Sequence, residues 1–445
     1  MKYVYRIHRW ISLLCAVFFL LLCLTGLPLL FKEEINEWNQ LQPPEKPQPL
    51  SYSILWQGLE QGMQAIQAAY PQKRIKAVSA KADKGELLFR LQDLNNSPHL
   101  SASGAETEQQ VAYQVGTQML TDQSGIALKY PALQAFLQFM STLHVRLGLG
   151  KGGMLFLGCF CLLSCLSLIS GFCLYAPLIK KLPAGMIRRH SRRTLWSDWH
   201  KFTGLAAGMW ALVLCLSGVM IVLFSLGYSS YLMAARSEAA QLLPAYRQNQ
   251  ITVPPWTALQ TANQALDNEV VIFLKMPEPK SNLYTLYIKP LAAGPDDFMG
   301  QPLFVAASAG EKSGPAACFR KPLPWYLPVT AVFVNLHTHN HALLVTKIIW
   351  SVYILITMAM IISGIYIWLT RWKNTVYRQE NPTAPPNLLK SGWVLLSMFG
   401  LLPLGGLVIS LYGGYFEMAG ALALFLPLLL FAMVWYKNKI KADSP

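Results

Sequence analysis

Residues 143–171 of this chain read LHVRLGLGKGGMLFLGCFCLLSCLSLISG, and residues 336–364 read LHTHNHALLVTKIIWSVYILITMAMIISG. Each stretch begins with Leu-His, continues as a long apolar run and ends with Ser-Gly, the glycine lying 27 residues past the histidine. A second pair follows the same design: His8 and His200 each lead to a Thr-Gly or Ser-Gly step whose glycine lies 18 residues further on. The fold must therefore accommodate four histidines at the ends of apolar helices.

The composition excludes an ordinary soluble protein. The chain has 445 residues, of which 53% are hydrophobic and only 13% are charged, a balance that indicates an α-helical integral membrane protein. A membrane-spanning helix needs about 20 apolar residues to cross a hydrocarbon core of about 30 Å. Six windows meet this requirement, at residues 10–31, 154–175, 202–226, 345–369, 393–411 and 419–435.

The net charge of +15 has a topological explanation that leaves no role for nucleic acid. The basic residues cluster before the first span, between the second and third, and after the fourth and sixth. The positive-inside rule then places both termini in the cytoplasm and both long loops outside. We therefore expect an uncleaved first span and a multi-pass protein of the bacterial inner membrane, with the bilayer as its surroundings and two large periplasmic loops.

The chain is predicted to consist of two related halves followed by a helical hairpin. His8 and His200 are 192 residues apart, and His144 and His337 are 193 apart, as in the duplicated halves of many membrane proteins. The predicted segments are a first span (1–31), an outer domain (32–140), a histidine segment with the second span (141–178), a basic cytoplasmic loop (179–199), a third span (200–227), a second outer domain (228–335), a histidine segment with the fourth span (336–372), a cytoplasmic loop (373–391), the hairpin of the fifth and sixth spans (392–436) and a cytoplasmic tail (437–445).

Both outer loops show the same order of secondary structure. In the first loop, a helical pattern over residues 54–69 precedes strand patterns at 75–79, 86–91 and 111–115. In the second loop, a helical pattern at 256–266 precedes strand patterns at 270–275, 284–288 and 303–306. These periodicities predict two small α+β domains.

The four repeated histidines are candidate haem ligands. A histidine at the end of a membrane helix is an interfacial polar residue, a haem ligand, or part of a proton or metal relay. By the predicted topology His8 and His200 lie at the cytoplasmic face (the inner pair), and His144 and His337 lie at the outer face (the outer pair). Two neutral imidazoles from two helices are what a six-coordinate haem needs, so the pattern favours one haem per face.

The glycine spacing agrees with this interpretation. Eighteen helical residues rise about 27 Å, so Gly26 and Gly218 reach the depth of the outer pair, while Gly171 and Gly364 return to the depth of the inner pair. Small residues at these depths would let a flat macrocycle approach the backbone. The alternative is that they are ordinary small-residue contacts between helices.

Other residues are weaker candidates. Arg9 and Arg146 are candidate partners for haem propionates. His339 and His341 follow His337 closely, which makes a further metal site an option, although one ligand with two solvated neighbours explains the same pattern.

These residues resemble those of a known family. The segments His8-Arg9-Trp10, Leu24-Thr25-Gly26 and Trp199-His200-Lys201, together with Leu143-His144 through Tyr175, are similar to the PepSY-associated transmembrane proteins. Ser363-Gly364 through Trp368 resembles the last span of that family. The resemblance covers most of residues 1–375, is strongest at the spans, and extends loosely to the outer loops, which look like PepSY modules.

The resemblance implies a di-haem reductase. The family includes iron-regulated inner-membrane proteins and ferric-siderophore reductases that hold two b-type haems between histidine pairs, and the matching positions here are His8, His144, His200 and His337. We therefore expect electrons from a cytoplasmic or quinol donor to cross the membrane and to reduce a ferric siderophore, or another ferric chelate, on the periplasmic side. The role of the fifth and sixth spans stays open.

Two other functions fit the sequence. In the first, the outer modules are the functional part of a membrane-anchored PepSY regulatory or binding protein without a cofactor. In the second, the duplicated halves form a siderophore or metal permease. The spans contain almost no ionisable residue at mid-depth, where substrate sites of transporters lie, so the permease is the less favoured of these.

Overall fold

A computed structural model of the protein describes residues 2–40, 48–94, 109–123, 128–179, 186–243, 253–278, 282–292, 300–307, 317–338 and 343–371. Its helices are α1 (Lys2–Leu29), α2 (Lys32–Trp38), α3 (Tyr52–Gln57), α4 (Leu59–Ala69), α5 (Pro131–Arg146), α6 (Gly150–Ile179), α7 (Arg192–Leu242), α8 (Pro255–Gln264), α9 (Tyr326–Thr338) and α10 (Leu344–Arg371). Its strands are β1 (Lys73–Lys81), β2 (Glu86–Asp93), β3 (Gln109–Gln114), β4 (Met119–Asp122), β5 (Glu269–Lys275), β6 (Leu283–Pro290), β7 (Gln301–Ala306) and β8 (Cys318–Phe319).

Four helices of the described chain are long and apolar enough to cross a membrane, namely α1, α6, α7 and α10. They coincide with the first four predicted spans, which are thereby confirmed as helices. The predicted fifth and sixth spans, at 393–411 and 419–435, lie outside the described residues. The hairpin at 392–436 therefore stays a prediction from the sequence.

The chain divides into two compact units. The membrane unit contains Met1–Asn36, Pro131–Phe224 and the described residues from Val332 onward, and the sheet unit contains Glu37–Tyr130 and Ser225–Ala331. Helix α7 has 51 residues, a length of about 76 Å at about 1.5 Å per residue. The predicted span at 202–226 is only its middle part, and its last 18 residues, from Ser225 to Leu242, belong to the sheet unit.

In the membrane unit α1 and α6 run antiparallel. Ser12 on α1 contacts Ser167 on α6, with their hydroxyl oxygens 2.8 Å apart. In the described part of this unit an apolar cluster of buried residues includes the large side chains of Trp210, Trp350 and Tyr353. Because small residues such as Ala16 and Ala207 belong to the same cluster, the helices can approach closely around these rings.

The sheet unit contains one antiparallel sheet of eight strands in the order β4-β3-β2-β1-β5-β6-β7-β8. Each loop supplies four consecutive strands, so the predicted three strands per loop are present and a short fourth is added to each. The two halves join through β1 and β5, where Val78 pairs with Leu274. The two loops, predicted as two separate domains, thus contribute to one continuous sheet. Because β1 pairs with β5, neither of these strands is left as an exposed edge.

The helices α3, α4 and α8 contribute to the core of this unit together with one face of the sheet. That core includes Leu59 and Phe89 from the first loop and Leu259 and Leu286 from the second. The strands repeat in detail as well: β1 has an irregularity between Ile75 and Ala77, and β5 has one between Val271 and Phe273. The duplication that the histidine spacing predicts is therefore visible in the strands too.

Candidate functional site

The four repeated histidines come together as two pairs. The ring centres of His8 and His200 are 6.5 Å apart, and those of His144 and His337 are 6.1 Å apart. Each pair joins the two halves of the sequence, as in the pairing predicted from the topology. No direct hydrogen bond joins His8 to His200. With 6.5 Å between their centres, the two rings are separated by a gap.

A glycine on a neighbouring helix lies against three of the four rings. A Cβ atom added to Gly171 would lie 3.1 Å from Cε1 of His8, and one added to Gly364 would lie 3.1 Å from Cε1 of His200. Gly26 relates to His144 in the same way at 3.1 Å, whereas Gly218 is 4.0 Å from His337 by this measure. Gly26, Gly171 and Gly364 therefore make room for imidazole rings, whereas a Cβ added to Gly218 would first meet Sγ of Cys161 at 2.9 Å.

The inner histidines are oriented by backbone carbonyl groups. Nδ1 of His8 lies 2.9 Å from the Ser167 carbonyl oxygen, and Nδ1 of His200 lies 2.9 Å from the Met360 carbonyl oxygen. A carbonyl oxygen only accepts hydrogen bonds, so Nδ1 carries the proton in both neutral rings. The lone pair is then on Nε2, the nitrogen that is available to a metal.

The outer histidines have the same tautomer for a different reason. Nδ1 of His144 lies 2.9 Å from Oγ1 of Thr25, and Nδ1 of His337 lies 2.8 Å from Oγ of Ser217. Both hydroxyl groups already donate to carbonyl groups of their own helices, Thr25 to Leu21 and Ser217 to Leu214. Because each hydroxyl hydrogen is used, Nδ1 donates to the hydroxyl oxygen and Nε2 again holds the lone pair.

A cavity of about 670 Å³ lies at the inner pair. Both His8 and His200 line it, as do Gly171 and Gly364, and most of its remaining wall is apolar. Its volume is within the range of about 300–1,000 Å³ that is usual for cofactor and ligand sites. It therefore provides space for a large planar ligand between two imidazoles.

Cationic side chains line one part of this cavity. Arg9, Arg193 and Lys201 are among its lining residues, and Nε of Arg9 is buried without a hydrogen-bond partner among the described residues. The ammonium group of Lys201 is held 3.1 Å from Oδ1 of the buried Asp198, which also accepts from Arg188. An unpartnered buried guanidinium nitrogen beside such a cavity fits a ligand that carries carboxylate groups.

The remaining predicted site residues are placed differently. Arg146 is exposed at the end of α5 and does not line the described cavity. His339 and His341 lie outside the described residues. Within the described part of the chain, no three or more His, Cys, Asp or Glu side chains are grouped so as to hold a metal ion, so the additional metal site proposed for this segment stays a prediction.

The hydroxyl groups that lie beside the histidines had no role in the prediction from the sequence. Their signal was nevertheless present, because a Ser or Thr immediately precedes every glycine of the repeat. The residues are Thr25, Ser170, Ser217 and Ser363, and each has a hydroxyl oxygen within 3.2 Å of a histidine Nδ1. The Ser-Gly or Thr-Gly step thus combines a polar partner with space for the ring.

Comparison with known proteins supports the resemblance seen in the sequence. No curated protein matches the chain. The sequence model of the family described as PepSY-associated TM region matches residues 5–371, a range that includes all four repeated histidines and, apart from the first three residues of α1, all four apolar helices of the described chain. The chain belongs to the PepSY-associated TM region family and is a multi-pass membrane protein.

Proposed function

We propose that this protein is a transmembrane electron carrier that holds two haem b groups, one between His8 and His200 and one between His144 and His337. The observation that carries the proposal is the spacing of the two pairs, 6.5 and 6.1 Å between ring centres. An imidazole nitrogen binds zinc at about 2.0–2.1 Å, and a ring centre lies about 1.1 Å behind its nitrogen. Two imidazoles on opposite sides of one metal ion of that kind therefore have ring centres about 6.2–6.4 Å apart.

The surroundings of the rings support the same function. All four histidines are held with the proton on Nδ1, and this hydrogen bond orients a metal-binding imidazole and raises its basicity. A glycine allows the rings of His8, His144 and His200 to lie close to a neighbouring helix. At the inner pair, Arg9 and Arg193 would pair with the two carboxylate groups of the cofactor.

The proposed role is reduction of a ferric chelate outside the cytoplasmic membrane. A bound haem supplies one-electron exchange between Fe(III) and Fe(II). The inner pair would receive electrons from a cytoplasmic or quinol donor, and the outer pair would deliver them to a ferric siderophore or a similar complex. Fe(II) is held less well than Fe(III) by hard oxygen ligands, so reduction would release the metal from its chelator.

The first test is the haem content of the purified protein. We expect two haems per chain and a Soret band that sharpens on reduction with dithionite. His144→Ala or His337→Ala should remove one haem and leave the other, because each substitution breaks one pair only. His190→Ala is the matched control, since His190 is an exposed histidine outside both pairs, and it should retain both haems.

Three results would each contradict a different part of this proposal. A colourless protein from haem-replete cells would exclude the electron carrier and favour a regulatory membrane protein whose sheet unit binds a partner. Loss of both haems from a folded His144→Ala protein would contradict two independent pairs. A protein that binds both haems and does not reduce a ferric chelate would keep the cofactor assignment and remove the proposed substrate.

A further inference from the structure

Three buried aromatic side chains lie between the two histidine pairs in the second half of the membrane unit. Trp210, Trp350 and Tyr353 are 3%, 2% and 1% exposed, respectively. The ring centres of Trp210 and Tyr353 are 5.5 Å apart at 19° between ring planes, and those of Trp210 and Trp350 are 5.7 Å apart at 81°. We call these three residues the aromatic triad.

The triad occupies the middle of the distance between the pairs. Trp210 is 10 residues past His200 and 7 residues before Ser217, which holds His337. At about 1.5 Å per residue these separations are about 15 Å and about 10 Å along α7. Any electron that moves between the pairs in this half therefore passes the level of Trp210.

Packing connects the triad to both ends. Met360 and Ile361 belong to the same buried cluster as the triad and also line the cavity at the inner pair. Leu336, the residue directly before His337, is a further member of this cluster. The buried cluster that contains the triad thus includes two residues of the inner cavity wall and the residue directly before His337.

The first half has a different set of residues at the equivalent positions. The two halves are offset by 192 residues at His8 and His200 and by 193 residues at His144 and His337. With these offsets, Phe18 corresponds to Trp210 and Phe160 corresponds to Tyr353. The ring centres of Phe18 and Phe160 are 4.3 Å apart, so the contact itself is repeated. Neither phenylalanine is fully buried, however, and their neighbour Phe156 is 42% exposed.

The choice of tryptophan at position 210 has an energetic cost. Its Nε1 is buried with no hydrogen-bond partner among the described residues, and an unmade hydrogen bond of this kind costs about 1–3 kcal/mol. The phenylalanine at position 18 shows that the repeated helix contact forms without an indole. Packing alone therefore does not explain the tryptophan.

We propose that the aromatic triad is the bridge for electron transfer between the two histidine pairs, and that the phenylalanine cluster of the first half is not. This inference depends on the proposed function. Electron tunnelling weakens steeply with the gap between electronic systems, and large, closely packed π systems shorten that gap. One electron is lost at the inner site and one is gained at the outer site, while the aromatic rings are neither oxidised nor reduced and no bond changes.

The test uses the full-length protein in lipid vesicles. Dithionite added outside first reduces the haem that faces the medium, and the second haem is then reduced by electrons from the first. Rapid-mixing absorbance follows these two reductions as two phases. Trp210→Leu should slow the second phase by about tenfold, because the indole is lost and the gap between the remaining π systems becomes longer. The first phase, both Soret spectra and both midpoint potentials should stay as in the parent protein, which a merely structural defect would not allow.

Matched variants keep the result interpretable. Phe18→Leu makes the equivalent change in the first half and should leave both phases unchanged. Trp210→Phe is the milder variant if Trp210→Leu does not fold, and it should slow the second phase to a smaller extent. An unchanged second phase in a Trp210 variant that holds both haems, or equal slowing in Phe18→Leu, overturns the bridge. A colourless parent protein would instead show that the proposed function itself has failed.

Discussion

At the scale of single residues, glycines and histidines on neighbouring helices are matched to each other in this protein. A ring that lies 3.1 Å from the place where a Cβ would stand cannot keep its position if the glycine is replaced. A backbone carbonyl group at the inner pair, or the hydroxyl group before the glycine at the outer pair, then fixes which nitrogen carries the proton. The repeat is therefore explained by the two requirements of an oriented imidazole, which are space for the ring and a partner for Nδ1.

Replacing Gly364 tests this explanation. Gly364→Ala places a methyl group 3.1 Å from Cε1 of His200, so the ring must shift and the affinity for the inner haem should fall by about 10–100-fold, as when outer-shell partners of metal ligands are lost. The measurement is haem titration of the apoprotein together with the reduction potential of the inner haem.

Gly152→Ala is the matched control for this change. Gly152 also lies in a helix, α6, but it does not line the inner cavity, and a Cβ there would meet no described atom within 4 Å. Both substitutions gain about 1 kcal/mol of helix propensity in the same way, so the comparison isolates the contact with the ring. Equal haem affinity in the two variants would show that the glycines do not position the histidines.

At the scale of elements, ion pairs fasten the last part of α7 within the sheet unit. Arg236 on α7 lies 3.0 Å from Oε2 of Glu278, whose Oε1 lies 2.6 Å from Nζ of Lys275 on β5. The hydrogen bond from Lys275, assisted by that from Arg236, lowers the pKa of Glu278 to about 2 from an ordinary value of 4.5. The charged form of this carboxyl group is therefore favoured by folding.

This pKa shift predicts a pH dependence of stability. Because the pKa of Glu278 is lowered in the folded protein, its stabilisation is present above about pH 4.5 and is lost as the pH falls toward about 2. The side chain is 46% exposed, so solvent limits the effect to less than about 1 kcal/mol. Glu278→Gln should lower the thermal midpoint slightly at pH 7 and should have a smaller effect at pH 3.

The control for this prediction is Glu60→Gln, which changes an exposed carboxyl group on α4. It should leave the difference between the midpoints at pH 7 and pH 3 as it is in the parent protein. If Glu278→Gln also leaves that difference unchanged, the ion pairs of Glu278 do not contribute to the acid sensitivity of the sheet unit.

At the scale of the whole molecule, the sheet unit is predicted to face outward. Cys318 is an exposed cysteine in β8 of this unit, whereas the described cysteines of the membrane unit lie in apolar helices. A membrane-impermeant maleimide should therefore label the parent protein from outside in spheroplasts and should not label Cys318→Ser. A His190→Cys, Cys318→Ser protein should react only after the membrane is opened, since residue 190 lies in the basic segment between α6 and α7. Labelling of His190→Cys in sealed spheroplasts would reverse the topology.

Much of the architecture was predictable because it depends on periodicity. Apolar windows of the right length gave the four described spans, and alternating patterns gave six of the strands, since burial in lipid or on one face of a sheet constrains every residue of such a segment. The extension of α7 to Leu242 was not predicted. Beyond residue 226 this helix leaves the apolar window that marked the span, so hydropathy no longer identified it.

By itself, the sequence determined the membrane class, the duplicated halves and the family, and it predicted the pairing of the four histidines, because residue spacing along a helix translates directly into height. Only the tertiary structure decided which nitrogen of each ring carries a proton, that Arg9 but not Arg146 lines the described cavity, and that both loops join in one sheet. These features depend on which helix faces and strand edges meet. Contacts between distant segments leave no fixed spacing along the chain, and so they appear only when the helices and strands are packed together.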